Sequence, residues 1–183
     1  IVEGTMEAQR KLLSGFGGNE KTSKEKFERA MQPQHVAISL DGEPTLYPKL
    51  PELIGEYKKK NFSTFVVSNG LLPERIERLM EEPPTQLYIS VDAPNEELFN
   101  IIDRPIIKNA WAGLIQTLSM LPRMKEKMRT VLRFTLIKGM NMAHAEQWAE
   151  IIKLSAPMFV EVKSYMWVGM SRERLEQANM PLH

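Results

Sequence analysis

The 183-residue chain contains no cysteine. Disulfide bridges, a catalytic thiol and a thiolate-held metal are therefore excluded within these residues. An excess of charge is missing too: 24 Lys and Arg stand against 23 Asp and Glu, a formal charge of +1. Bulk electrostatics thus announces no polyanionic partner and leaves any such contact to local clusters. No apolar run approaches the ~18 residues of a membrane span, and no basic leader precedes an apolar core. A soluble cytosolic monomer with no membrane partner is the default expectation. Solenoid repeats and low-complexity tracts are also lacking. The chain opens at Ile1 without an initiator Met and stops at Pro181-Leu182-His183, so it reads as a portion of something longer.

What is present suffices for one domain with a core burying roughly 70% of the unfolded surface. The 12 Met and three Trp read as core material. The stretch that organises the chain is Ser39-Leu40-Asp41-Gly42-Glu43-Pro44-Thr45-Leu46, at the end of an apolar run (Val36, Ala37, Ile38, Leu40) that begins at His35. A short buried strand, an acidic turn stopped by Gly42 and Pro44, and a helical pattern make one βα unit. Parallel α/β folds place their ligands at the C-terminal ends of such strands, which is where Asp41 and Glu43 stand.

Residues 1–34 read as N-terminal helical decoration, broken at Gly15-Phe16-Gly17-Gly18-Asn19, with a second helix capped near Ser23. Residues 35–183 read as a (β/α) domain. After the acidic turn Leu46, Leu50, Leu53, Ile54 and Tyr57 recur at helical spacing, with Lys58-Lys59-Lys60 at the end that the helix dipole favours. Further strands are expected at Phe62–Ser68, Gln86–Asp92, Val131–Lys138 and Phe159–Met166, with helices from Pro73, near Leu98, from Asn109 and from Ala143. A last short helix from Ser171 would contain Leu175.

Alternation decides between an open doubly wound sheet and a barrel. Central strands of a doubly wound sheet are apolar on both faces. Here one parity is apolar (Val36, Ile38, Leu40; Phe65, Val67; Leu87, Ile89, Val91; Leu132, Phe134, Leu136; Val160, Val162) and the other polar (Ser39, Asp41; Thr64, Ser68; Ser90, Asp92; Arg133, Thr135; Glu161, Lys163, Tyr165). Helices on one side and a polar lumen on the other predict an α/β partial barrel, incomplete at its N-terminal unit. The bland alternative is a buried polar network with no ligand.

SLDGEPTLYP, VVSNG, YISVDAP, RFTLIKGMN and FVEVKSYMWVG, each at a strand end and in this order, carry a resemblance. The acidic turn is similar to the Gly-Gly-Glu element of the radical S-adenosylmethionine superfamily, with Asp41 in place of the first Gly. From about His35 onward the chain resembles, within that superfamily, the 4-demethylwyosine synthase family of tRNA wybutosine biosynthesis. The resemblance implies a partial (β/α)6 barrel and a [4Fe-4S] cluster that cleaves S-adenosylmethionine to a 5′-deoxyadenosyl radical. It also implies condensation of pyruvate with N1-methylguanosine in tRNA. Asp41, Gly42, Glu43 and Pro44 would receive the cofactor's methionyl amino group, with Ser68, Asn69, Ser90 and Thr135 lining the rest of its site. A turn offers carboxylate and carbonyl acceptors to an ammonium, and hydroxyls and amides suit a ribose and a carboxylate. The family's CxxxCxxC motif is absent, so these residues cannot hold iron, and any cluster cysteines are expected outside them.

Asp92, Arg133 and Tyr165 are the candidate substrate-binding residues and Lys163 the candidate catalytic one. A lumen lysine beside Arg133 has a reason for a lowered pKa, and a neutral amine forms a Schiff base with a keto acid. Pairing of Lys163 with Glu161, Asp92 or a substrate carboxylate is the rival role. Arg123, Lys125, Lys127, Arg129, Arg172 and Arg174 are candidate phosphate contacts or solvated helix ends. Three rival readings stay open: a cluster-free keto-acid lyase or aldolase using Lys163, a different radical S-adenosylmethionine enzyme, and a non-catalytic module that retains the pocket.

Overall fold

The computed structural model describes residues 1–181. Five strands, β1 (His35–Ile38), β2 (Ser63–Ser68), β3 (Gln86–Ser90), β4 (Arg129–Leu136) and β5 (Phe159–Ser164), form one sheet in the order β1-β2-β3-β4-β5. Every neighbouring pair is parallel. Parallel crossovers are right-handed in about 98% of cases, so a sheet that always grows in one direction throws every crossover onto the same face. That rules out double winding and leaves a partial barrel with one covered and one open face.

The covered face receives α3 (Leu50–Lys59), α4 (Pro73–Glu77), α6 (Ala110–Met124) and α7 (Ala145–Ser155), with the short α5 (Glu96–Ile102) directly after β3. Ile54, Ile76, Leu114, Leu118 and Leu121 from the helices meet Val66, Leu87, Ile89 and Leu132 from the strands, all at most 1% exposed. Removing such area from water contributes about 25 cal/mol per Å² and is the main force holding the layers together. The N-terminal α1 (Val2–Ser14) adds a second, smaller cluster in which Val2 packs with Tyr57 and Phe62, and Thr5 Oγ1 meets the Tyr57 hydroxyl at 2.8 Å. Ser23 caps α2 (Lys24–Ala30) by accepting from Lys26 N.

Three expectations are corrected. On β2 the phase is inverted: Thr64, Val66 and Ser68 are the buried parity, and Phe65 and Val67 are half-exposed on the open side. The register agrees, since Thr64 pairs with Val36 and Val66 with Leu87, both on the helix side. A buried hydroxyl is tolerated where it is bonded. Thr64 and Thr85 exchange two such bonds (Thr64 N to Thr85 Oγ1, 3.0 Å; Thr85 N to Thr64 Oγ1, 3.1 Å), and Ser68 donates to Glu43. Leu40, expected in the strand, lies beyond it at φ +94° and is 95% exposed. Leu175 falls between two 3₁₀ turns, Gly169–Glu173 and Gln177–Asn179, instead of inside a helix. His183 and Leu182 lie outside the described residues.

The direction of the strands also sorts the basic residues. Arg123, Lys125, Lys127 and Arg129 sit where α6 ends and β4 begins, at the entry end of the barrel. Arg123 is paired there with Glu77 at 2.6 Å. Arg172 and Arg174 follow β5 and stand at the exit end, with the acidic turn.

Candidate functional site

Two groups of residues stand at the exit end. The first is the acidic turn after β1, which reverses through two left-handed residues, Leu40 (φ +94°) and Gly42 (φ +76°). The Glu43 carboxylate then closes a bracket. Its Oε1 accepts from Thr45 N (3.0 Å), Thr45 Oγ1 (2.7 Å) and Ser68 Oγ (2.7 Å), and its Oε2 accepts from Asn69 N (2.8 Å). The bracket caps the 3₁₀ turn Pro44–Leu46 and ties the β1 exit to the β2 exit. Asp41–Pro44, Ser68 and Asn69 are thus brought together as the sequence suggested. Glu43 and the buried Ser68, however, spend their polar groups chiefly on each other and on the backbone. The exposed Asp41 carboxylate and the turn's carbonyls remain as acceptors for an ammonium.

Gly70 completes the β2 exit. Its φ is +70°, and a Cβ there would meet Ile89 Cγ2 at 2.9 Å and Leu114 Cδ1 at 3.2 Å. Its carbonyl accepts from Thr117 Oγ1 at 2.7 Å, and its N–H donates to Ser68 Oγ at 3.0 Å.

The second group is a cavity of about 190 Å³ at the exits of β3, β4 and β5, lined by Asp92, Thr135, Tyr165, Ile102, Met140 and Arg174 among others. Pockets enclosing a drug-sized ligand run to ~300–1,000 Å³, so this one suits a fragment of a ligand and not a whole one. Asp92 Oδ1 accepts from Thr135 N at 3.2 Å. Burial pushes the Asp92 carboxyl up, against the opposing pull of Thr135 and Arg133. The Tyr165 hydroxyl, 7% exposed as a residue, donates to Ser171 Oγ at 2.9 Å.

Behind this wall stands a residue the sequence reading passed over. Asn141 is fully buried; its Nδ2 donates to Asp92 O and Thr135 O, both at 2.8 Å, and its Oδ1 accepts from Ile137 N at 2.6 Å. Its own carbonyl accepts from Trp148 Nε1 at 2.9 Å. The side chain thereby ties the β3 exit to the β4 exit, and the backbone carbonyl of the same residue ties both to α7. The only clue in the sequence was its place in RFTLIKGMN. Asp103 was also missed: desolvation first, then the Asp92 charge, raise it to about 7 against the pull of Arg174. Nothing in its local sequence pattern foretold this.

Along the open face run Tyr88, Ser90, Arg133, Glu161 and Lys163. Arg133 Nε donates to Glu161 Oε2 at 2.6 Å, and its guanidinium lies 4.6 Å from the centroid of Tyr88. The guanidinium expected to crowd Lys163 is therefore engaged by a carboxylate and a ring. Lys163, in register with Thr135, is exposed on the edge strand and does not line the cavity.

Among the described residues no three His, Cys, Asp or Glu gather to hold a metal, and with no cysteine these residues do not ligate an iron-sulfur cluster. S-adenosylmethionine fits them better: an acceptor turn for its amino group and a fragment-sized cavity stand at one barrel end. No described helix is long and apolar enough to cross a membrane.

Residues 154–183 match the family described as wyosine base formation. The S-adenosyl-L-methionine-dependent tRNA 4-demethylwyosine synthase of Pyrococcus abyssi is 48% identical over 185 residues, covering 100% of this chain and 54% of the relative. That of Methanocaldococcus jannaschii is 41% identical, covering 100% of this chain and 57% of the relative. The chain thus spans about half the length of the curated relatives it matches. A solved structure of TYW1 with a lysine-pyruvate adduct bound superposes with a TM-score of 0.85 at 40% identity, over 98% of this chain and 56% of that one. The model of the radical SAM superfamily matches residues 21–152, well over half of the sequence, and the chain belongs to that superfamily.

Proposed function

We propose that this chain is the barrel portion of a cytosolic 4-demethylwyosine synthase, condensing pyruvate with N1-methylguanosine in tRNA. The observation that carries the reading is the placing of the acidic turn and the Asp92–Thr135–Tyr165 cavity together at the exit end of a one-sided barrel. S-adenosylmethionine, bound with a [4Fe-4S] cluster whose cysteines lie outside these residues, supplies the radical chemistry of the superfamily. The chain's own residues bind and orient. Asp41 and the Gly42 and Pro44 backbone receive the cofactor's ammonium, with Glu43 holding their loop in place and Ser68 and Asn69 holding Glu43. Ser90 and Thr135 line the rest of the cofactor's site, and Asp92 and Tyr165, on the wall of the cavity beside it, contact the substrate.

Arg133 is the substrate carboxylate's candidate anchor, because Glu161 takes its Nε and the rest of the guanidinium remains as a fork. Within these residues Lys163 is the proposed pyruvate-bearing lysine, facing the same open side as Arg133. The relative's lysine-pyruvate adduct supports lysine chemistry of this class without saying which lysine of this chain performs it.

The test is anaerobic reconstitution of the full-length protein and its incubation with methylated tRNA, S-adenosylmethionine and pyruvate. Pyruvate-dependent 4-demethylwyosine is the expected product. A full-length protein that binds no cluster, or that releases a pyruvate-derived product without S-adenosylmethionine, removes the reading and leaves the Lys163 lyase. Borohydride with pyruvate is expected to trap an adduct that Lys163→Ala abolishes. An adduct undiminished in that variant assigns the lysine to another part of the protein.

A further inference from the structure

Two segments frame the mouth of the Asp92 cavity, and both have an unusual surface. The first is the connection from α5 to α6, where Ile101 is 49%, Ile106 100% and Ile107 40% exposed. Its shape is set by left-handed backbone at Arg104 (φ +50°) and Asn109 (φ +57°), conformations that residues other than glycine adopt at some cost. The second follows β5, where Met166 is 66%, Val168 52% and Met170 72% exposed.

Beside these apolar groups stand Arg104, Lys108, Arg172 and Arg174, four cations against the two carboxylates Asp103 and Glu173 in the same segments. Among the described residues none of the four cations makes an ion pair. Asp103, raised to about 7, carries only part of its negative charge at neutral pH. Arg174 Nη1 donates to Ile102 O at 3.4 Å, so the two segments touch.

Arg172 is held ready in place. Its Nε donates to Trp167 O at 3.0 Å and its guanidinium lies 4.9 Å from the centroid of the Trp167 ring. The Trp167 indole is itself fixed, donating to Leu175 O at 2.8 Å. A guanidinium so pinned keeps its outer nitrogens for phosphate and loses little side-chain entropy on binding.

We propose that these two segments form the docking surface for an unpaired loop of RNA, with Ile106 as an apolar wedge between bases and Arg172, Lys108 and Arg104 on the flanking phosphates. The inference rests on the tRNA reading above and adds where the RNA lies. Side chains that enter a stack and cations that track the backbone are how proteins splay out a base for chemistry in a pocket. Unpaired cations beside exposed aliphatic groups favour RNA over an apolar protein partner, which would leave these charges buried and unmatched. The basic stretch Arg123–Arg129 lies at the opposite end of the barrel and has no part in it.

The experiment measures binding of a labelled tRNA to the reconstituted full-length enzyme, with a fluorescent base analogue next to the target guanosine. Ile106→Ser and Arg172→Ala are expected to weaken binding about tenfold, and Ile106→Ser to remove the rise in analogue fluorescence that reports unstacking. Arg172→Ala should also lower the salt dependence by roughly one phosphate contact. Melting temperature and S-adenosylmethionine affinity stay unchanged in both. Wild-type conversion of tRNA with both variants binding normally overturns the surface alone. A lowered melting temperature in Ile106→Ser with tRNA affinity intact also overturns it, because another segment of the longer protein then covers Ile106. Wild-type enzyme that binds no tRNA overturns the surface and the tRNA reading together.

Discussion

Gly70 shows how much one position at a strand exit can carry. Its left-handed φ and the 2.9 Å approach to Ile89 leave no room for a methyl group. Gly70→Ala is expected to cost about 2–4 kcal/mol in urea unfolding, combining backbone strain with overpacking. Glu43 teaches the opposite lesson about legibility. Its place in an acidic turn was plain from the sequence, but its role as a bracket was not, because its donors Ser68 and Asn69 lie more than 20 residues away in the chain. Asp103 gives a pH signature. Its folded-state value, about 7 against an ordinary 3.8, is raised, so ionising it opposes folding, and stability falls as pH climbs through that interval. Asp103→Asn should therefore melt higher than wild type at pH 8, with the gain fading to nothing near pH 4. Because the residue is exposed overall, solvent screening keeps the gain small.

At the scale of elements, Asn141 is the joint between β3, β4 and α7. Replacing it by Ala leaves Ile137 N and two strand-exit carbonyls without their partner, a loss of about 3 kcal/mol in denaturant unfolding. A variant with wild-type stability would show that water or a shifted loop satisfies these groups. Apart from the last expected helix, strand and helix order was readable from apolar periodicity, caps and turn residues, because parallel crossovers leave a regular rhythm of apolar runs and breaks. The phase of β2 was not, since Thr64 and Ser68 are polar by type yet buried by virtue of Thr85 and Glu43. Polarity marks the wet face only where a hydroxyl has no private partner. Leu40 misled in the reverse sense: an apolar residue in sequence continuity with a strand, it is turned out by a left-handed backbone that its type does not announce.

At the scale of the molecule, sequential strand order and one-handed crossovers put the covered face, the open face and both candidate site groups in fixed relation. That much followed from the pattern of the five strands, and the structure adds that the acidic turn is stapled across two strand exits. It also separates the cations by barrel end, which composition could not do. The central claim is that the exit end, organised by Glu43, receives S-adenosylmethionine. Calorimetric titration of the cofactor into reconstituted full-length protein tests it most directly, with Glu43→Ala beside Arg123→Ala, the latter altering only an ion pair at the entry end. The account predicts affinity at least about tenfold weaker, roughly 1.4 kcal/mol, for Glu43→Ala and unchanged for Arg123→Ala. Equal affinity in wild type and a folded Glu43→Ala protein would contradict it.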